Sequence, residues 1–415
     1  MRADRVEVIN TGRELLLGTT INTNLALIAR HLFPHGLRIE RNVSVPDDRT
    51  IWTSLEEALG RADLVILSGG LGPTLDDLTR DAVAEVLGVE LRDDEAVWEQ
   101  IGAYFQKRGL TLRESARRQA AIPAGAEVLR NGRGTAPGFW IAGDLLTKHR
   151  ARGLLVLPGP PRELEPMLLE ASGRFSAVGL GEQRYQTKSL FFGRTGESEV
   201  MAQLEPKLAD LDLQEIAYCA HAGCTELRVR GPLGSIEQTI AHAQKVFPKS
   251  LVSTEQERPH ENVLRRLRER GETVAFAESC TGGAIASTLT DLPGSSEVFG
   301  MSWVTYSNEA KARLLGVDEE VLATKGAVSE EVARAMCEGA LHASGADHTV
   351  AVTGIAGPGG GTAEKPVGTV WIGLASSEGV TEAHRFVFAT DRLTFKKLVT
   401  TYAFDLLRGR LASAS

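Results

Sequence analysis

Residues 64–67, Leu-Val-Ile-Leu, form an unbroken apolar run that stops at Ser68-Gly69-Gly70. A strand with one wet face alternates apolar and polar residues, whereas a strand buried on both faces carries a continuous run. A strand over 63–67 therefore lies inside a sheet that is covered on both sides. A strand over 6–9, a helix over 20–32, a strand over 38–45 and a helix over 50–59 precede it in alternation. This order predicts an α/β fold with a parallel sheet and right-handed crossovers. In such sheets ligands gather at the C-terminal ends of strands.

The loop at that end of the central strand reads SGGLGPTLDD, residues 68–77. Gly69, Gly70 and Gly72 allow backbone amides to approach a ligand closely, with Thr74 beside them. Asp76 and Asp77 then open a helix whose apolar face is Leu78, Ala82, Val83 and Val86. Two acids at a helix start cap it and complement its dipole. They also have the chemistry to hold a hard cation such as Mg²⁺ against a phosphate chain, and both readings can hold at once. Glu14, Asn22 and Asn24 follow the first strand and face the same crevice. A second apolar run, 154–157, ends in Pro158-Gly159-Pro160-Pro161 and leads to a helix with Glu163 and Met167.

At 415 residues the chain has room for two or three domains. Its formal charge of −8 argues against a sequence-independent grip on nucleic acid, which needs basic surface. No apolar run approaches the ~20 residues that span a bilayer, and the start of the chain has no secretory apolar stretch, so a cytoplasmic location is expected. The four cysteines, Cys219, Cys224, Cys280 and Cys337, form no C-x-x-C pair. Cys219, His221 and Cys224 have no second ligand pair to complete a zinc site, and reduced thiols are the default. From about residue 174 to 253 the chain shows a β-α-β-β-α pattern: a strand over 187–192, a helix over 196–208, strands over 215–218 and 225–230, and a helix over 236–246. The polar stretch 253–260 reads as a linker.

The last third centres on Glu278-Ser279-Cys280-Thr281-Gly282-Gly283, set between a strand over 274–277 and a helix marked by Ile285, Leu289 and Leu292. A strand, glycine turn and helix aim free backbone amides outward, a geometry that holds an oxyanion or a phosphate; a capped turn is the plainer alternative. A strand over 303–306 then leads to a helix over 309–315, which Ser307 or Asn308 can cap. Lys311 shares the apolar stripe of that helix with Leu314 and Leu315, while Arg313 points away. An inward lysine loses part of its charge and becomes a base, unless its amine snorkels back to water. A further strand over 348–352 ends at Thr353-Gly354, where a loop with Gly357 and three later glycines begins. Arg392 opens the last helix, 393–407, a position suited to phosphate or to a surface ion pair.

Together TGRELLLG, INTN, SGGLGPTLDD and LPGPPRELEPM resemble the molybdopterin-binding-like domain that opens CinA-family proteins. AESCTGG, VTYSNEAK, GAVS, TGIAGPGGGT and TDR resemble the C-terminal CinA domain, whose stand-alone relatives deamidate nicotinamide mononucleotide (NMN). Arg13 departs from the pattern, where a small or acidic residue is expected. The resemblance implies three domains: a three-layer α/β domain over 1–172, a KH-like α+β domain over 173–255 and an α/β deamidase domain over 256–415. It implies ADP-ribose pyrophosphatase activity for the first, giving AMP and ribose 5-phosphate. Asp76 and Asp77 would hold a divalent metal (Mg²⁺, Mn²⁺ or Co²⁺), with a monovalent cation alongside. The rival for that domain is a pterin- or nucleotide-binding module without turnover, linked to competence. The middle domain lacks a G-x-x-G loop between adjacent helices, so RNA binding is not expected and a spacer or dimerisation role is. For the deamidase it implies Ser279 as nucleophile, Lys311 as base and Tyr306 as proton-transfer aid, with no metal. Amides over 280–283 would receive the oxyanion, Thr353, Gly354 and Gly357 would hold substrate, and Arg392 would meet the 5′-phosphate. Cys280 is a rival nucleophile on chemistry alone, since a helix N-terminus depresses a thiol pKa; a small packed residue is the alternative. A homodimer is expected from the family.

Overall fold

The computed structural model describes residues 4–181, 185–379 and 381–413. The chain divides into two compact units, Met1–Thr187 and Lys188–Ser415.

In the first unit, β1 (Arg5–Thr11), α1 (Arg13–Leu16), α2 (Thr23–Leu32), β2 (Arg38–Val45), α3 (Thr50–Arg61) and β3 (Leu64–Ser68) alternate as the apolar pattern requires. After α4 (Thr79–Leu87), β4 (Leu91–Asp93), α5 (Glu95–Lys107) and β5 (Ala121–Pro123), the strands β6 (Glu127–Leu129), β7 (Gly138–Ala142) and β8 (Gly153–Leu157) complete the main sheet, and α6 (Pro161–Ser172) covers it. The strand order is β2-β1-β3-β8-β7-β6. β1 pairs in parallel with β2 and β3, and β3 with β8. β7 and β6 turn antiparallel at the edge, a departure from the all-parallel expectation. β3 and β8 are buried at every residue. Val65, Leu67 and Val156 pack on one face, Leu64, Ile66 and Leu155 on the other. α2 starts at Thr23 rather than at residue 20, because the Asn22 side chain accepts the Leu25 N–H at 3.2 Å and caps the helix there.

The second unit opens with β9 (Gln186–Gly193), whose first two residues fall in the first unit, then α7 (Glu197–Leu208), β10 (Glu215–His221), β11 (Cys224–Gly231) and α8 (Leu233–Val246). This is the expected β-α-β-β-α unit, with strand order β10-β11-β9. The larger sheet follows: α9 (Pro259–Arg270), β12 (Val274–Glu278), α10 (Ala284–Thr290), β13 (Phe299–Val304), α11 (Asn308–Leu315), α12 (Glu319–Lys325), α13 (Glu330–Ser344), β14 (His348–Gly354), β15 (Thr369–Ser376), β16 (Thr381–Val387) and α14 (Arg392–Ser413). Its order is β13-β12-β14-β15-β16, parallel around β12 and antiparallel beyond β14. Phe276 and Val350 pack against α14 residues on one face, and Ala277 and Ala351 against α13 residues on the other. β13 starts at Phe299 and ends at Val304, shifted toward the N-terminus from the expected 303–306, because residues 305–307 leave the sheet and Ser307 caps α11.

The two sheets of this unit are joined through α14. The carboxylate of fully buried Asp405 accepts from Arg194 Nε at 2.6 Å and from Arg408 Nε at 2.8 Å. Arg408 also donates to the Lys249 carbonyl at 2.7 Å. Among the described residues no helix is long and apolar enough to cross a membrane.

Candidate active site

In the C-terminal domain, β12 ends at Glu278 and the chain turns through Ser279 into α10. α11 presents Lys311 to that turn. Lys311 is 1% exposed and Ser279 8%. Lys311 Nζ lies 3.2 Å from Ser279 Oγ, 2.8 Å from the Thr305 carbonyl and 3.5 Å from the Tyr306 carbonyl. Among the described residues no carboxylate pairs with the amine. Burial pulls its pKa below the usual lysine value, with only the Cys280 sulfur acting in the opposite sense. A neutral amine has two N–H groups for the two carbonyls and a lone pair left for the serine hydroxyl, so the three contacts suit a base.

The turn is held by Glu278, a fully buried carboxylate to which the sequence reading assigned no role. Its Oε2 accepts the Gly283 and Ile285 amides at 3.0 and 3.1 Å, and its Oε1 the Ala286 amide at 2.9 Å. Glu278 thereby fills the helix N-terminus from inside. The Gly283 amide is taken, and the Gly282 amide closes a turn on the Ser279 carbonyl at 3.1 Å. The oxyanion donors expected over 280–283 therefore narrow to the amides of Cys280 and Thr281, which donate to no carbonyl or carboxylate among the described residues. Gly282 and Gly283 have φ of 63° and 93°, backbone that side chains resist, and this fixes glycine at the turn. Cys280 is buried, and burial pushes its thiol up to about 12, so it stays protonated and unreactive.

Tyr306 is 60% exposed, and only its backbone carbonyl faces Lys311. Its hydroxyl instead accepts a hydrogen bond from Arg392 Nη2 at 2.8 Å, while Arg392 Nη1 donates to the Gly357 carbonyl at 3.0 Å. Arg392 thus ties the tyrosine to the glycine loop. Thr353 is buried, and its hydroxyl donates to the Ala327 carbonyl at 2.7 Å, which pins the 326–329 segment to the end of β14 rather than offering a free group beside Gly354.

In the first unit, a 370 Å³ crevice at the C-terminal strand ends is lined by the loop after β3, Glu14 and the turn after β8. The loop is anchored from below by α4. Thr79 Oγ1 donates to the Gly69 carbonyl at 2.9 Å, and the guanidinium of Arg80 donates to the carbonyls of Leu71 and Gly72 at 2.6 and 2.7 Å. With these carbonyls drawn inward, the Gly70 and Leu71 amides are left without an acceptor among the described residues. Arg80 is almost wholly buried, and burial brings its pKa down to about 10. Gly69 has φ of 106°, and a Cβ there would lie 2.6 Å from the Thr11 carbonyl.

The two aspartates behave differently. Asp77 Oδ1 accepts the Gly72 amide at 2.7 Å, and its Oδ2 accepts the Thr74 amide at 2.8 Å and the Thr74 hydroxyl. Both oxygens are occupied in clamping the loop, whereas Asp76 is exposed at the crevice. Asp47, absent from the sequence reading, joins them from the end of β2. Burial raises its pKa, the Arg13 amide lowers it, and the nearby carboxylates of Glu14, Asp76 and Asp77 raise it further. Asn24 donates to Ser68 Oγ at 3.0 Å and to the Gly159 carbonyl at 2.6 Å, so with Asn22 it serves the scaffold of the crevice. No three His, Cys, Asp or Glu side chains among the described residues converge closely enough to enclose a metal ion by themselves.

Residues 256–411 match the family model described as the CinA C-terminal domain, and residues 7–174 the one described as a probable molybdopterin binding domain. A CinA-like protein of Akkermansia muciniphila is 43% identical over 406 residues, covering 97% of this chain and 96% of its own. The chain belongs to the CinA family. A CinA-like protein of Geobacter metallireducens is 39% identical over 99% of this chain and 100% of its own. A solved structure from Agrobacterium tumefaciens, described as competence/damage inducible protein CihA, is 43% identical and covers 36% of this chain and 94% of that one, with a TM-score of 0.35. In this CinA chain Ser279, Lys311, Cys280 and Thr281 meet at one strand end, and Tyr306, Arg392 and Gly357 form a linked group beside them. The N-terminal residues Glu14, Gly69, Gly70, Gly72, Thr74, Asp76 and Asp77 all line the other crevice. Glu278, Arg80 and Asp47 complete the two sites. The first two are buried acids or bases with only backbone partners, a signal visible in sequence only as a charge set within an apolar stripe.

Proposed function

We propose that the C-terminal domain hydrolyses the carboxamide of NMN to nicotinate mononucleotide and ammonia, with Ser279 as nucleophile and Lys311 as base. The observation that carries this reading is the buried 3.2 Å contact between Lys311 Nζ and Ser279 Oγ, with no carboxylate paired to the amine among the described residues. Ser279 Oγ attacks the amide carbon as its proton passes to Nζ. The oxyanion that forms meets the amides of Cys280 and Thr281. The C–N bond then breaks, and the proton on Nζ leaves with ammonia. A water molecule, deprotonated by the same amine, attacks the acyl carbon, the C–Oγ bond breaks, and the proton on Nζ returns to Ser279 Oγ as nicotinate mononucleotide leaves. Arg392 would exchange its contacts with Tyr306 and Gly357 for the 5′-phosphate, which makes Tyr306 a substrate-gating residue more than a proton carrier. Ser279→Ala is expected to abolish ammonia release from NMN and to keep NMN binding; full turnover by that variant overturns the assignment.

For the N-terminal domain we propose ADP-ribose hydrolysis to AMP and ribose 5-phosphate. The amides of Gly70 and Leu71 are free to cradle the pyrophosphate. The residues at the crevice fit a divalent cation held by one or two carboxylates together with substrate oxygens, the usual habit of Mg²⁺. Asp76 and Asp47 would hold it, with Glu14 near; Asp77 is committed to the loop. Such an ion would offset phosphate charge. Binding without turnover is the second reading, favoured by the occupied oxygens of Asp77. AMP formation from ADP-ribose that depends on added divalent metal and is lost in Asp76→Asn supports hydrolysis. Unchanged ADP-ribose in the presence of Mg²⁺, Mn²⁺ and Co²⁺ supports the binding reading.

A further inference from the structure

A cavity of 470 Å³ opens between the three-stranded middle sheet and α14, within the range of small-molecule sites. None of Ser279, Lys311, Tyr306 or Arg392 lines it. Its apolar part includes Phe191 of β9, Phe404 of α14 and Leu393, which is 71% exposed. His221 stands 6.3 Å from the Phe191 ring and His260 stands 5.8 Å from the Phe404 ring, so two aromatic pairs flank the space.

Its charged part is Arg258, Lys396 and Lys397. None of the three side chains makes an ion pair among the described residues, and the Arg258 guanidinium lies 5.9 Å from the Phe191 ring centre. Two neighbouring acids are engaged by other groups, while Glu261 and Asp291 lie near enough to act on the lining His260 without pairing with Arg258, Lys396 or Lys397. Glu226 accepts from Ser189, His221 and Arg228, and Asp405 from Arg194 and Arg408. Glu261 accepts the backbone N–H of Arg258 at 2.7 Å. A chain of net charge −8 thus gathers three cations with no ion-pair partner among the described residues around one partly aromatic cavity. Such focusing of one sign of charge over low-dielectric walls attracts an anion.

We propose that this cavity is a second ligand site for a small organic anion that joins a planar ring to a phosphate, the mononucleotide class. The ring packs against Phe191 and Phe404, and the phosphate meets Arg258, Lys396 and Lys397. The cavity adjoins the Ser279 turn through α10 and Lys396 but shares none of Ser279, Lys311, Tyr306 or Arg392 with it, so the proposal does not depend on the assignment of either reaction centre.

The test is calorimetric titration of the full chain with AMP, alongside the double variant Arg258→Ala/Lys397→Ala and the cavity-filling variant Ala222→Trp. Lys396 is left in place, because its Nζ lies 3.7 Å from where a Cβ on Gly282 would sit, beside the Ser279 turn. Any AMP taken up by the N-terminal crevice is common to all three proteins, so the reading is the difference between them. Far-UV circular dichroism matched to the parent shows that each variant is folded. The expected result is that, above any binding common to all three proteins, one event weakens about tenfold or more in the double variant, the effect of losing about 1.4 kcal/mol, and disappears in Ala222→Trp. Isotherms that coincide for all three proteins overturn the proposal, whether they show binding or none. Loss in only one of the two variants overturns it as well.

Discussion

Glu278→Gln isolates the contribution of the buried carboxylate beneath α10. The wild-type side chain accepts three backbone amides with two charged oxygens. A glutamine retains one acceptor oxygen. Turned toward Gly283 and Ile285 it keeps two hydrogen bonds, but neutral ones of about half the strength. Its NH₂ then faces the Ala286 N–H, leaving a buried donor without an acceptor at a cost of about 1–3 kcal/mol. Loss of the negative charge at a helix N-terminus adds up to about 2 kcal/mol in a buried setting. The sum is roughly 3–5 kcal/mol, felt first in the local opening of this turn. Amide hydrogen exchange reads it directly. At 1.4 kcal/mol per factor of ten, the amides of Gly283, Ile285 and Ala286 should lose about 100-fold or more of their protection, while residues of the middle sheet keep theirs. Because the same turn carries Ser279 and the Cys280 and Thr281 amides, ammonia release from NMN should fall with it. Protection within a factor of about three of the parent would refute the view that this carboxylate organises the turn.

Arg80→Lys replaces a fork that spans two carbonyls with a single ammonium, and should cost the N-terminal unit about 2–4 kcal/mol in denaturant unfolding and weaken its hold on ADP-ribose. Cys280→Ala should leave NMN turnover within about threefold of the parent, since its thiol, pushed up to about 12, is neither ionised nor accessible; iodoacetamide should likewise spare the activity. Lys311→Met should change the pH dependence of stability. The folded lysine has a lowered pKa, so between that value and 10.5 the unfolded chain binds more protons and the parent gains stability as pH rises. The methionine variant should lack that gain, as thermal unfolding across the alkaline range would reveal.

The sequence discloses the site residues best where one local pattern fixes both position and environment. Ser279 follows an apolar strand and precedes two glycines, and Lys311 sits with Leu315 on the buried side of α11; Leu314, read on the same stripe, proves 43% exposed. The continuous run 64–67 likewise led to a fully buried central strand. Partners distant in sequence were not legible. Tyr306 and Arg392 are 86 residues apart, and nothing in either neighbourhood tells that the phenol is turned to the guanidinium rather than to the lysine. Asp77 resembled a ligand because an acid at a helix start is compatible with capping and with cation binding alike, and only the three hydrogen bonds from Gly72 and Thr74 separate them. Arg80 was open to inference: it stands one turn before Ala84 on the buried face of α4. Within 91–142 the strands run only three to five residues, too short for a period to emerge, whereas α5, with Asp94 as its cap and Val97 and Ile101 on its buried face, carried a helical signal that went unread. β16 was missed for another reason, since its half-exposed edge position carries mixed polar residues with no apolar run.

The central claim is that buried Lys311, its pKa lowered by burial, activates Ser279 in its neutral form. The pH–rate profile of ammonia release from NMN, with EDTA present, for the parent and for Lys311→Ala tests it most directly. The parent rate should rise with pH through an apparent pKa below the 10.5 of an ordinary lysine, and the variant should be about 10²–10⁴-fold slower with that limb gone. A variant that retains the parent's rate and the same alkaline limb would contradict the account.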